Sequence, residues 1–175
     1  MMDALLKALA ERTYSRSDFS YRISVMREFL EYVFFTKHDA RPGKESIEPF
    51  TAYRKKPEAD ALFLQSLPES FFESFGQDSF YELLETLAGA VKRLPTLSLT
   101  VPVVLSHTDV EAIGTWARKN VDPEVMLEID IEASVAVGCQ IVWKDQLHDY
   151  ALNHYLALHA EELHKVLLER TSPSH

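Results

Sequence analysis

The sequence predicts an α+β protein with two domains: a six-helix bundle over residues 1–94 and a small α+β domain over residues 95–175. Two observations favour this division. Through the first 94 residues, apolar side chains recur at steps of three and four, which is the spacing of amphipathic helices. From Pro95 onward, β-branched and alternating runs appear between helical patterns, in the order strand, helix, strand, strand, helix.

The helical domain is predicted to contain one long helix and five shorter ones. In the long helix, Tyr21, Val25 and Phe29 follow one another at four-residue steps, and Ser17 or Asp18 is placed to act as its N-cap. The predicted helices cover residues 2–12, about 18–35, 45–55, 57–66, 69–75 and 78–93.

The α+β domain begins with a predicted strand and a well-marked helix start. Residues 96–105, TLSLTVPVVL, are rich in β-branched residues and leucine. Pro102 indicates an edge or an end of this strand, because proline lacks an amide donor. Residues 106–108, SHT, offer N-cap side chains for a helix that reaches Asn120. Residues 125–131 then alternate, which predicts a second strand.

The segment before the last helix carries the most specific pattern of the chain. Every second residue over 135–143 is apolar, which predicts a strand with one buried face. Lys144 and Asp145 form a polar two-residue break, as in a β-hairpin. Asp149 comes just before a long helical pattern, so we expect it to be the N-cap of a final helix over 149–169.

Composition limits the classes of function. The chain has 175 residues, of which 46% are hydrophobic and 26% charged, as in an ordinary globular protein. The net charge of −9 argues against broad nucleic-acid binding, which needs clustered Lys and Arg. One cysteine excludes an internal disulfide. No apolar run reaches the roughly 18 residues of a membrane span, and no signal-peptide core is present, so we expect a cytoplasmic protein.

Histidines and the single cysteine are the candidates for catalysis or metal binding. His148, His154, His159 and His164 are spaced by six, five and five residues. Ligand pairs on a helix need steps of three or four, because five residues turn the chain by about 140°. Cys139 with His148 could form a nucleophile and base, but Cys139 falls on the apolar face of the predicted strand, where cysteine is more often a core residue. We therefore expect no catalytic, cofactor-binding or metal-binding residues.

Aromatic side chains are concentrated in the helical domain, which holds all 10 phenylalanines. Such residues are more often core. Part of them could instead line a groove that receives an amphipathic helix from a partner protein. Phe29, Phe72 and Phe75 are our candidates for this groove.

The layout of the chain and its C-terminal stretch resemble the delta subunit family of F-type ATP synthases, which includes the oligomycin-sensitivity-conferring protein. That family joins a helical N-terminal domain to an α+β C-terminal domain in a chain of about this length. Residues 132–138, EASVAVG, are similar to the family's D-P-S-L-I-G-G stretch, and residues 149–151, DYA, to its D-x-S. The identical positions are Ser134, Gly138 and Asp149, which indicates a divergent member.

This resemblance implies a mechanical function. In the family, the helical domain binds N-terminal segments of the alpha subunits and the C-terminal domain binds the C-terminal helices of the b subunits. The resemblance implies a non-catalytic peripheral-stalk (stator) subunit that links the F1 head to the membrane-anchored b subunits of a proton-translocating ATP synthase. It also implies a peripheral location on the cytoplasmic side of the energy-transducing membrane, and structural roles for Gly138 in strand packing and Asp149 in capping.

Two alternatives stay open at this point. The chain could be another helix-binding adaptor of a related rotary or secretion motor. It could also be a small enzyme or metal protein that uses Cys139 and the C-terminal histidines.

Overall fold

The protein consists of helices and one mixed four-stranded sheet, which confirms the α+β class. The computed structural model describes residues 2–11, 13–36, 41–162 and 164–165. The chain divides into two compact units, Met1–Pro95 and Thr96–His175. This division lies beside the boundary predicted at residue 94.

The first unit contains six α-helices in its described residues, at the positions that the sequence predicts to within a few residues. They are α1 (Met2–Ala10), α2 (Arg16–Glu31), α3 (Ile47–Arg54), α4 (Glu58–Ser66), α5 (Glu69–Phe72) and α6 (Phe80–Val91). A π-helical turn, Tyr32–Thr36, continues α2, and a 3₁₀ turn, Lys44–Ser46, precedes α3.

The long helix α2 begins earlier than predicted. Its N-cap is Ser15, whose side-chain oxygen accepts a hydrogen bond from the amide of Asp18 at 3.1 Å. Asp18 is therefore in the first turn of the helix, where its carboxylate pairs with Arg22 at 3.3 Å. The prediction of Ser17 or Asp18 as the N-cap was wrong because the extended Ser15 already caps the helix through the amide of Asp18, so both residues lie within its first turn.

Phenylalanine rings form much of the core of the first unit. Phe29 on α2 meets Phe50 on α3 and Phe72 on α5 edge to face, with ring centroids 5.5 and 5.6 Å apart. Phe71 packs against both Phe72 and Phe75. Edge-to-face contacts add to the free energy gained by burying the rings, so these side chains hold three helices together.

Two polar contacts join α2 to the segment that follows α3. The hydroxyl of Tyr21 donates to the carboxylate of Asp60 on α4, at 3.1 and 3.0 Å from its two oxygens. Lys56 forms an ion pair with Glu28 at 3.0 Å. Asp60 is only 4% exposed, and a buried carboxylate is costly unless it accepts hydrogen bonds. The side chain of Tyr21 is half exposed, and the partial burial of its hydroxyl, with the hydrogen bond to Asp60 and the charge of that carboxylate, raises the pKa of Tyr21 above its ordinary value of 10.0.

In its described residues, the second unit contains a four-stranded sheet and the helices α7 and α8. Its elements are β1 (Thr96–Val101), α7 (His107–Asn120), β2 (Met126–Ile131), a 3₁₀ turn (Ala133–Val135), β3 (Gln140–Trp143), β4 (Gln146–Asp149) and α8 (Leu152–Leu158). The strand order is β2-β1-β3-β4, in which β1 and β2 are parallel and the other pairs antiparallel. Pro102 follows directly after β1, so it marks a strand end. The chain is helical again over 160–162 and 164–165, and the predicted helix beyond 165 lies outside the described residues.

Alternation along β1 creates the buried face of the sheet. Leu97, Leu99 and Val101 are buried, and Leu97 pairs with the buried Leu127 of β2. Two parallel strands require a crossover connection, which α7 provides. Ala117 is the residue of α7 with no exposed surface.

The helix α7 begins after Ser106, one of the N-cap residues that the sequence offers over 106–108, and a capping box stabilises this start. The hydroxyl of Ser106 accepts from the amide of Asp109 at 3.2 Å, and the carboxylate of Asp109 accepts from the amide of Ser106 at 3.1 Å. Hydrogen bonds from the side chain and then the backbone of Ser106 lower the pKa of Asp109 below its ordinary value of 3.8.

The segment before β3 differs from the prediction. The continuous strand expected over 135–143 was wrong in its first half: Ala133–Val135 is a 3₁₀ turn, and β3 begins only at Gln140. Ala136 and Gly138 have φ values of 58° and 100°, which interrupt an extended strand. Val135, whose apolar character suggested the buried face of a strand, is buried as part of the 3₁₀ turn instead.

The hairpin turn was predicted correctly. Lys144 and Asp145 connect β3 to β4 with φ values of 49° and 63°. Positive φ at both central residues is the geometry of a type I′ turn, whose twist matches that of the two strands.

Among the helices in the described part of the chain, none has the length and apolar character that a membrane span requires.

We expect the variant Tyr21→Phe to lower the free energy of unfolding by about 1.5–3 kcal/mol, because hydrogen bonds to charged groups contribute that much. Urea unfolding at pH 7 measures the change. Tyr81→Phe is the matched control, since the hydroxyl of Tyr81 donates to Glu31 at the surface. Equal losses in the two variants would show that burial of Asp60 does not matter.

The same variant has a defined pH dependence. A tyrosine whose pKa is raised in the folded state stabilises the fold fully below its ordinary value of 10.0, and this contribution is lost as the pH rises through the raised pKa. The stability difference between the wild type and Tyr21→Phe should therefore shrink in alkaline solution.

We expect Asp109→Asn to destabilise the protein at neutral pH and to have little effect in strong acid. The contribution of a carboxylate with a lowered pKa is complete above its ordinary value of 3.8 and is lost as the pH falls through the lower folded value. Thermal unfolding between pH 7 and pH 2 measures this. Glu111→Gln, an exposed position on the same helix, is the control; a pH-independent loss for Asp109→Asn would contradict the capping role.

Candidate functional site

The candidate site is the place where the last helix leaves the sheet, together with the apolar side of that helix. The β3–β4 ladder continues past the strands through two backbone hydrogen bonds. The amide of Tyr150 donates to the carbonyl of Cys139 at 2.9 Å, and the amide of Leu152 donates to the carbonyl of Val137 at 2.8 Å. The first residue of α8 is thus fixed to the chain before β3.

Gly138 lies between these two hydrogen bonds and directly against the opposite backbone. A Cβ at this position would overlap the carbonyl oxygen of Tyr150 and lie 3.0 Å from its carbonyl carbon. Its φ of 100° is also a conformation that residues with side chains rarely adopt. Two independent requirements therefore select glycine here.

Asp149 organises the same junction with its carboxylate. One oxygen accepts from the amide of Ala151 at 2.9 Å, and the other accepts from the side-chain amide of Gln140 at 3.0 Å. Nδ1 of His154 is 3.9 Å from the second oxygen. Asp149 therefore binds the strand before it and the helix after it.

The prediction that Asp149 is the N-cap of α8 needs correction. Asp149 is the last residue of β4, and the N-cap is Ala151, which makes no side-chain capping bond. Pairing with Gln140 keeps residue 149 in the sheet, so the helix starts later. Its carboxylate still binds a backbone amide two residues on, in the manner of an Asx turn.

The 3₁₀ turn supports the start of α8 from the other side. The side-chain amide of Asn153 donates to the carbonyl of Ser134 at 2.8 Å. Val135 and Ala151 are both buried. The hydrogen bond from Asn153 therefore attaches the 3₁₀ turn to the first turn of α8.

Although its first turn is held in this way, α8 leaves its large apolar side chains about half exposed. Leu152, Tyr155 and Leu156 are 45%, 46% and 45% exposed, and no residue of α8 is buried. Positions i, i+3 and i+4 lie on one side of a helix, so these three form a stripe that we call the α8 seam. The sequence predicts the last helix from its periodicity, but it does not predict that Leu152 and Leu156 are exposed at the surface.

The phenylalanines predicted to line a groove are core residues instead. Phe29 and Phe72 are 0% exposed and Phe75 is 4% exposed, so they contact other helices and present no surface to a partner. Their mutual edge-to-face packing explains this. Helical phase was the missed signal, because Phe29 is in phase with the buried Met26 and Val33.

Other aromatic side chains do reach the surface of the first unit. Phe35, in the π-helical turn, and Tyr81, on α6, are both about half exposed, and each ring packs against the buried Phe80. The hydroxyl of Tyr81 donates to Glu31 at 2.9 Å. We call Phe35 and Tyr81 the aromatic patch.

The residues considered for chemistry are dispersed. His148 stacks on the ring of Tyr150, and Nδ1 of His159 is 3.2 Å from Glu162. Cys139 is a partly exposed free thiol whose carbonyl belongs to the junction. Within the described residues, no group of three or more His, Cys, Asp or Glu side chains is arranged to hold a metal ion.

No protein-family model matches the chain, and no curated protein matches it.

We expect Gly138→Ala to lower the free energy of unfolding by about 1–3 kcal/mol, which is the usual cost of a residue held in a forbidden backbone region, and more if the clash with Tyr150 persists. Chemical denaturation measures this. Gly89→Ala is the matched control: nothing lies within 4 Å of a Cβ added to Gly89 in α6, so alanine should stabilise the helix by about 0.5–1 kcal/mol. A neutral Gly138→Ala would contradict the junction described above.

Proposed function

We propose that this protein is a non-catalytic connector of the peripheral stalk in a proton-translocating ATP synthase, as a divergent member of the delta subunit family. In this proposal, the first unit binds N-terminal segments of the alpha subunits and the second unit binds C-terminal helices of the b subunits. The observation that carries the proposal is the α8 seam: a helix whose large apolar side chains are left uncovered while its first residue is firmly held.

The order of elements in the second unit supports the proposal. Strand, helix, strand, hairpin and closing helix follow one another as in the pattern that the resemblance rests on. Two of the three positions identical to the family, Gly138 and Asp149, meet at the junction of the hairpin and α8. The third, Ser134, supplies the carbonyl that binds Asn153.

The α8 seam suits a helical partner. Exposed apolar side chains at helical spacing are the usual recognition surface for another amphipathic helix. Burying a leucine side chain contributes about 1.5–3 kcal/mol. A partner helix that covers the seam would gain this free energy without a change in the fold of the sheet.

The contacts that attach α8 to the β3–β4 hairpin suit a protein that transmits force. A connector must transmit force from its partner helix to the sheet. Two backbone hydrogen bonds, the Asp149 carboxylate and the Asn153 amide all hold the first turn of α8, so its direction is fixed at several points. These contacts use no side chain of the seam, so the seam remains available to the partner.

The aromatic patch is our candidate surface for the head. Phe35 and Tyr81 are about half exposed, whereas most phenylalanines of the first unit are buried in its core. We propose that a helical N-terminal segment of an alpha subunit covers them. The protein would then be located at the cytoplasmic side of the energy-transducing membrane through its partners.

The first test is affinity purification from native membranes of the source cell with the tagged protein. We expect mass spectrometry to find the alpha, beta and b subunits of ATP synthase. A tagged b subunit is the positive control. Failure to recover these chains where the control succeeds would refute the proposal, and recovery of stalk subunits from another motor would favour the adaptor alternative.

The second test changes the seam. We expect Leu152→Ser with Leu156→Ser to weaken recovery of the b subunit by roughly tenfold or more, since 1.4 kcal/mol corresponds to a factor of ten. Leu147→Ser is the matched control, because Leu147 is 60% exposed and lies on β4, outside the seam. Circular dichroism checks that both variants fold. Equal weakening by both would contradict a role specific to the seam.

A further inference from the structure

We draw no further inference here: the strongest candidate, the exposed cross-strand pair of Val142 on β3 and Leu147 on β4, is an unpartnered apolar patch, and nothing in the described part of the chain shows what covers it.

Discussion

The second unit depends on one backbone contact, the approach of Gly138 to Tyr150. The carbonyl of Tyr150 occupies the space that any other side chain would need. Hydrogen bonds on both sides of this contact, at Cys139 and Val137, would break together if the strands moved apart. The 3₁₀ turn, the hairpin and the first turn of α8 therefore behave as one piece, and the direction of the helix follows from where this contact lies.

The first unit is stabilised in a different way. Its core contains phenylalanine rings packed edge to face, and a hydrogen bond between Tyr21 and Asp60 adds a polar contact between helices. Burial of Asp60 is tolerated because the hydroxyl of Tyr21 donates a hydrogen bond to its carboxylate, with both oxygens within 3.1 Å. Phenylalanines used in this core are unavailable to a partner, so only residues outside the buried helical phase, such as Phe35 and Tyr81, remain at the surface.

The proposed connector role needs both a firm attachment and an uncovered surface, and α8 combines them. Its first turn is held by main-chain and side-chain hydrogen bonds, whereas the side chains of the seam stay about half exposed. Apolar side chains at helical spacing gain free energy when a second helix covers them. A surface of this kind is useful to a protein that works by being bound at a fixed angle.

Local patterns in the sequence determined the fold class, the helices of the first unit, the start of α7 within residues 106–108 and the turn at Lys144 and Asp145, because each depends on neighbouring residues. Tertiary structure decided the rest. The alternating run before Cys139 became a 3₁₀ turn because the Gly138 contact requires a bend, and Asp149 stayed in β4 because it pairs with Gln140. Periodicity shows that a residue belongs to an apolar face, but only the packed structure shows whether that face is buried, as at Phe29, or exposed, as at Leu156.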